Sequence, residues 1–163
     1  MFREMRRNKQ ILSEEESIAI LKKGTSGVLA LSGDDDYPYA VPLSYVYCDS
    51  RLYFHAAKEG HKIDAIRKCD KASFCVIEQD DIMPEKYTTY YRSVIAFGRI
   101  RIVEDEAEKK RTIEILGRKY YPDDSEEGRE TTIEKAWDSF CMIELAIEHL
   151  SGKEAIELAR ARE

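Results

Sequence analysis

In Tyr39-Ala40-Val41-Pro42-Leu43-Ser44-Tyr45-Val46-Tyr47, bulky side chains hold the odd positions Tyr39, Val41, Leu43, Tyr45 and Tyr47, while Ala40, Pro42 and Ser44 are small. A period of two marks a strand, so the stretch predicts one broad face and one flat face. Pro42 cannot donate a ladder hydrogen bond, which points to an edge strand or an irregular one. Upstream, the apolar run Val28 to Leu31 ends in Ser32-Gly33-Asp34-Asp35-Asp36, residues that favour a chain reversal. Downstream, Asp49-Ser50 forms a second turn, and Leu52 to Ala57 alternates so that Tyr53, His55 and Ala57 share a side. The result is a three-strand meander.

Further along, Phe74 to Ile77 reads as a buried strand, and the acidic, Pro84-containing segment Glu78 to Lys86 as a loop. Val94 to Ile102 reads as a long strand, apolar on both faces as far as Phe97 and bulged or bent at Gly98. Phe140 to His149 alternates as a strand with one wet face. Helices are signalled by the Ser13/Glu16 capping box (13–23, closed by a left-handed Gly24) and by Ile63, Ile66 and Cys69 after Gly60. Others begin at Asp105/Glu108, stopped by Tyr121-Pro122, at Ser125, and at Ser151/Glu154, which predicts a C-terminal helix over 152–162. About six strands within 25–149, joined mainly by tight turns, predict a mainly β fold: an antiparallel barrel with attached helices, not a parallel α/β sheet.

A chain of 163 residues can bury roughly 70% of its unfolded surface, which predicts a single domain over 1–163. With 36% charged residues and a net charge of −6, a general electrostatic grip on nucleic acid or an anionic membrane is disfavoured, so any anion must be held locally. No run approaches the roughly 20 apolar residues of a membrane helix. Arg3, Arg6, Arg7 and Lys9 are not followed by the apolar run of an export signal, and Cys48, Cys69, Cys75 and Cys141 show no paired spacing; both features suit a cytoplasmic protein with reduced thiols. His55 and His61 have no third ligand at short spacing, so no metal site is expected.

Chemistry concentrates in Phe54-His55-Ala56-Ala57-Lys58-Glu59-Gly60-His61-Lys62, a strand end passing through Gly60 into a helix. A helix start presents unpaired N–H groups and partial positive charge, and Lys62 adds a full charge, which suits a phosphate. Lys58, His61 and Lys62 read equally as solvated residues of a first turn. The flat face of Ala40, Pro42 and Ser44 leaves room for a planar ring or, alternatively, serves tight packing in a tapered barrel.

The order Gly27-Val28-Leu29-Ala30, Tyr37-Pro38-Tyr39, Val41-Pro42-Leu43-Ser44-Tyr45, Tyr53 to Ala57, Gly60-His61-Lys62 and Ser93-Val94 through Gly98 resembles the nitroimidazole-resistance branch of the pyridoxamine-phosphate-oxidase-like family. Met5-Arg6-Arg7 and Ser151-Gly152-Lys153 extend the likeness over nearly the whole chain. It implies an FMN-binding split barrel that forms a homodimer with FMN at the subunit interface. By that resemblance Val41, Pro42, Leu43 and Ser44 lie along the isoalloxazine, His55, Ala56 and Ala57 continue the wall, and His61 and Lys62 grip the phosphate. Tyr91 and Ser93 approach the flavin from one subunit or the other. Asp36 replaces the family's usual glycine in the hairpin, where aspartate still tolerates a left-handed turn. His61 stands where many relatives carry Lys or Arg, and histidine changes charge within the physiological range, which makes the phosphate grip pH-sensitive.

The implied activity is an oxidoreductase that passes electrons from a reduced nicotinamide donor to a small acceptor such as a nitroimidazole, with His55 as candidate proton donor. The competing reading is a flavin or haem carrier or sensor without turnover. His149 reads as a surface histidine, Trp137 as a core or dimer contact, and Arg92 as a weak candidate for a substrate's charge partner.

Overall fold

The computed structural model describes residues 1–162. Its strands are β1 (Ser26–Ser32), β2 (Pro38–Ser44), β3 (Val46–Cys48), β4 (Arg51–Ala57), β5 (Lys71–Met83), β6 (Thr88–Ile102) and β7 (Phe140–Glu154). Its α-helices are α1 (Glu14–Lys23), α2 (His61–Lys68), α3 (Glu106–Tyr120), α4 (Glu126–Ala136) and α5 (Ile156–Arg160). All strand pairings are antiparallel, in the order β2-β1-β5-β6-β7-β4-β3. The two edges of this seven-stranded sheet, β2 and β3, are joined through Tyr45 alone. A sheet whose opposite edges are sequence neighbours must curl until they meet, which produces a barrel.

Tyr45 is also why there are seven strands where the sequence predicts six. Its backbone is taken out of the ladder: Tyr120 Oη accepts from the Tyr45 N–H at 2.9 Å and Lys119 Nζ donates to the Tyr45 carbonyl at 3.1 Å. Its side chain is fully buried and donates to the Leu21 carbonyl at 2.7 Å. The end of α3 thereby clamps the crossover from one sheet edge to the other. Inside the curl Phe74 meets the rings of Tyr45 and Phe54 edge-on, at 4.9 and 5.0 Å. Such aromatic pairs add about 0.5–1.5 kcal/mol each beyond their area burial.

The Ser13/Glu16 capping box forms on both sides. Gly24, expected to be left-handed, is extended (φ −63°, ψ 146°). Glycine serves a different need there, because a Cβ would stand 2.5 Å from Tyr45 Oη. The bulge at Gly98 is present: Phe97 faces His149 and Gly98 faces Ile147, leaving Glu148 over, and a Cβ on Gly98 would fall 1.9 Å from the Ala146 carbonyl oxygen. Asp35 and Asp36 take left-handed φ values of 51° and 61°, so the hairpin accommodates aspartate.

Three other expectations are corrected. The supposed loop Glu78 to Lys86 is strand as far as Met83, because Asp80, Asp81 and Ile82 pair with Tyr91, Tyr90 and Thr89. Residues favourable to strands on β6 recruit an acidic partner that would not form a strand by itself. Ile77 on this hairpin is exposed, so β5 is buried on one face only. The C-terminal helix does not start at 152, since β7 continues to Glu154 and α5 begins at Ile156 without a side-chain cap. Pairing with Arg92–Phe97 outweighs the local Ser151/Glu154 capping signal, and Glu154 is fully buried against Arg92. The barrel strands therefore extend past 149.

Candidate functional site

Within the short ladder of β3 and β4, Val46 lies opposite Tyr53. Prolonging that register would lay Ser44 beside His55 and Pro42 beside Ala57. Instead the chain turns away at Tyr45 and β2 pairs with β1, placing Pro42 opposite Val28. The outer edge of β2 is consequently unpaired, as is the β3-side edge of the Phe54–Ala57 half of β4, whose other edge pairs with β7, and the two unpaired edges flank a split in the barrel. Unpaired strand edges carry N–H and C=O groups that a polar ring can satisfy. Val41 and Leu43 turn their side chains toward the core, whereas Ala40, Pro42 and Ser44 are exposed on the outer face. His55 and Ala57 are exposed on β4, and Ala56 points inward.

The chain reaches α2 through Gly60, whose φ of 119° excludes other residues at low cost and whose missing Cβ faces open space. No side chain caps this helix, and the N–H groups of His61 and Lys62 have no intramolecular partner among the described residues. The His61 ring stacks on Tyr39 of β2, centroids 4.0 Å apart, with Nε2 3.7 Å from an Asp34 carboxylate oxygen. This contact ties α2 to β2 and turns Nε2 toward the β1–β2 reversal. Val41 to Ser44, His55 to Ala57 and Gly60 to Lys62, separate in sequence, thus gather around one split. Tyr91 and Ser93 do not join them: they lie on β6, which β1 and β5 separate from β2. Tyr91 instead meets the amide of Gln10 at 3.5 Å and the ammonium of Lys153 at 5.6 Å from its ring.

Arg92, weighed for a substrate, is engaged elsewhere, donating to Glu154 at 2.9 Å. The His149 ring is half-buried under Phe2, stacked at 4.7 Å. Among the described residues no group of three or more His, Cys, Asp or Glu side chains gathers as a metal site. No helix is long and apolar enough to cross a membrane.

Between Lys58, the last turn of α2, the end of β6 and the start of α3 lies a groove of about 890 Å³ that sequence reasoning missed. Its lining includes Lys58, Ile66, Lys109, Phe140 and Cys141. Lys109 Nζ donates to the Trp137 carbonyl at 2.6 Å and lies 4.2 Å from the ring centroids of Trp137 and Phe140. Burial pushes its ammonium below the ordinary lysine value, and the nearby Lys58 charge adds to the effect. Burial raises the Cys141 thiol, against the opposing charges of Lys109, Lys62 and Lys58. Lys58 and Lys109 are 51 positions apart, from the two numbers, and no local pattern announces their convergence.

A curled antiparallel sheet opened beside an uncapped helix start defines a split β-barrel protein. Residues 13–154 match the family model described as pyridoxamine 5'-phosphate oxidase, and the chain belongs to that family. No curated protein matches the sequence. Among solved structures, a candidate 5-nitroimidazole antibiotic resistance protein from Bacteroides thetaiotaomicron is 19% identical, with 89% of this chain and 86% of that one covered and a TM-score of 0.74. A flavocytochrome from Azotobacter vinelandii is 18% identical over 93% of this chain and 72% of its own, TM-score 0.74. A FAD-binding protein from Mesorhizobium loti is 26% identical over 90% and 97%, TM-score 0.61.

Proposed function

We propose that this chain binds FMN in the barrel split and acts as an oxidoreductase. The observation that carries the reading is the meeting of two unpaired strand edges with an uncapped, glycine-led helix start. The flat outer residues Pro42 and Ser44, with the backbone of Val41 and Leu43, orient the ring, and His55 to Ala57 form the opposite wall. The free N–H groups of His61 and Lys62, with the Lys62 ammonium, hold the phosphate through charge-assisted hydrogen bonds. When bound, FMN supplies the chemistry, accepting a hydride from a reduced nicotinamide donor and passing electrons to a small acceptor such as a nitroimidazole. His55, exposed on the β4 rim, holds the proton for that acceptor. In this reading two copies pair, and the partner copy brings Tyr91 and Ser93 to the flavin, which accounts for their distance from the split of their own chain.

The test is the absorption spectrum of the purified, unreconstituted protein. Flavin bands that bleach with reduced nicotinamide and return with a nitroimidazole are the expected result. A Soret band, or a flavin that no nicotinamide donor reduces, overturns the enzymatic reading in favour of a haem or flavin carrier.

A further inference from the structure

The split exists because one stretch of chain bends, and the bend has a traceable cause. Tyr39, Val41, Leu43, Tyr45 and Tyr47 all pack on the same core, so side-chain facing does not change where β2 gives way to β3. Yet the ladder with β1 stops at Ser26–Ser44, and the ladder with β4 starts only at Val46–Tyr53. The last two residues of α3 fill the place between. One step further along the β1–β2 register Thr25 would face Tyr45. Tyr120 Oη stands there instead, donating to the Thr25 carbonyl and accepting from the Tyr45 N–H at 2.9 Å. Lys119 Nζ donates to the Gly24 carbonyl and, at 3.1 Å, to the Tyr45 carbonyl, and lies 4.3 Å from the centroid of the Tyr45 ring. Together they form a wedge against the chain at Tyr45.

Without a wedge the sequence fits a straight strand that closes the barrel. Carrying the β3–β4 register back lays Tyr45 beside Phe54 and Leu43 beside Ala56, all four facing the core, and Ser44 beside His55, both exposed. Such agreement of inward and outward positions is what sets a strand register, and both edges carry free backbone groups to pair. Nothing in the side-chain pattern keeps β2 from β4. The obstacle is the bend. We propose that Lys119 and Tyr120 are positioning residues for the flavin: their wedge at Tyr45 holds the split open, and without it β2 closes onto β4 and shuts the ring out. The role of the open split as a flavin site rests on the function proposed above; the closure of β2 onto β4 does not.

Hydrogen exchange separates the two. It is read at residues 41–44 and 55–57 of the purified full-length protein, first washed free of small molecules and then saturated with FMN. Without flavin the parent should exchange quickly at both edges, which lack strand partners, and Lys119→Met should exchange more slowly because its edges have paired. A contact that only stabilised the fold would give the opposite result on removal, namely faster exchange. FMN affinity should fall about tenfold in the variant if the closed form outnumbers the open one by about ten to one. Tyr120→Phe, which removes only the hydroxyl, carries the same test if Lys119→Met does not fold. Unchanged or faster exchange at these edges in a folded variant overturns the wedge, as does undiminished FMN affinity. Slower exchange in the variant of a protein that takes up no FMN leaves the wedge standing and overturns the flavin reading alone.

Discussion

Two regions of this barrel use charged residues in opposite ways. At β7, Glu144 is buried yet fully partnered, accepting from Arg101 at 3.0 Å and Tyr53 Oη at 3.2 Å, with Arg51 at 3.5 Å. Glu154, with no exposure, is met by Arg92 at 2.9 Å and by Arg162. At the split, Lys62 stands without an ion pair among the described residues, beside the unpartnered N–H groups of His61 and Lys62; in the groove Lys58 is likewise unpaired, and Lys109 is held by the Trp137 carbonyl and two aromatic rings but by no carboxylate. Charges neutralised within the chain hold strands in register. The charges of Lys58 and Lys62, left unpaired at an opening, are solvated and serve no contact within the chain, which leaves them available to a ligand.

Removing a neutralising charge should produce the largest change. Arg92→Ala leaves Glu154 buried with Arg162 alone, and we expect a loss of about 3 kcal/mol, at the low end of the range for a broken buried pair because Arg92 is partly exposed. Urea unfolding measures it; an unchanged midpoint would mean that β7 is not held by this contact. Next in size is a pH effect at Glu144. Burial alone would raise this carboxyl, but the hydrogen bonds and charge of Arg101, with Tyr53 and Arg51, hold it below the ordinary value. A depressed folded-state value gives stability that is present above the unfolded carboxyl range, near pH 4, and lost as pH falls through the folded value. Stability should therefore drop with acidification below about pH 4, and Glu144→Gln should flatten that slope relative to the parent in parallel urea titrations. The smallest effect on stability is expected at the split: Lys62→Ala should move the unfolding midpoint by less than about 0.5 kcal/mol. The same change should weaken FMN retention about tenfold, and unchanged FMN affinity would dissolve the contrast between the two regions.

Local signals were legible where the reason for a conformation is local. The Ser13/Glu16 box, the Gly98 bulge, the edge position of Pro42 and the Pro122 stop all appear where the residues predict them. They failed where a distant strand outweighed them. Thr89 to Tyr91 made strand of Asp80 to Ile82, and Arg92 drew Glu154 into β7. The stretch from Tyr39 to Tyr45 alternates and runs on into Val46-Tyr47 with no turn residue, yet contacts from Lys119 and Tyr120, some 75 positions away, divide it into two edges.

By itself the sequence determined that this protein is an antiparallel β barrel with attached helices, and that His55, Gly60 and Lys62 lie at a strand end and helix start. Both follow from side-chain period and turn chemistry, which act over a few residues. The tertiary structure alone decided that β2 and β4 part at Tyr45 to open a split, that Tyr91 and Ser93 stand away from it, and that Lys58 and Lys109 share a groove. Those facts depend on which strands pair and how far the sheet curls, and burial of Tyr45, Phe54 and Phe74 against one another sets that curl across the whole chain.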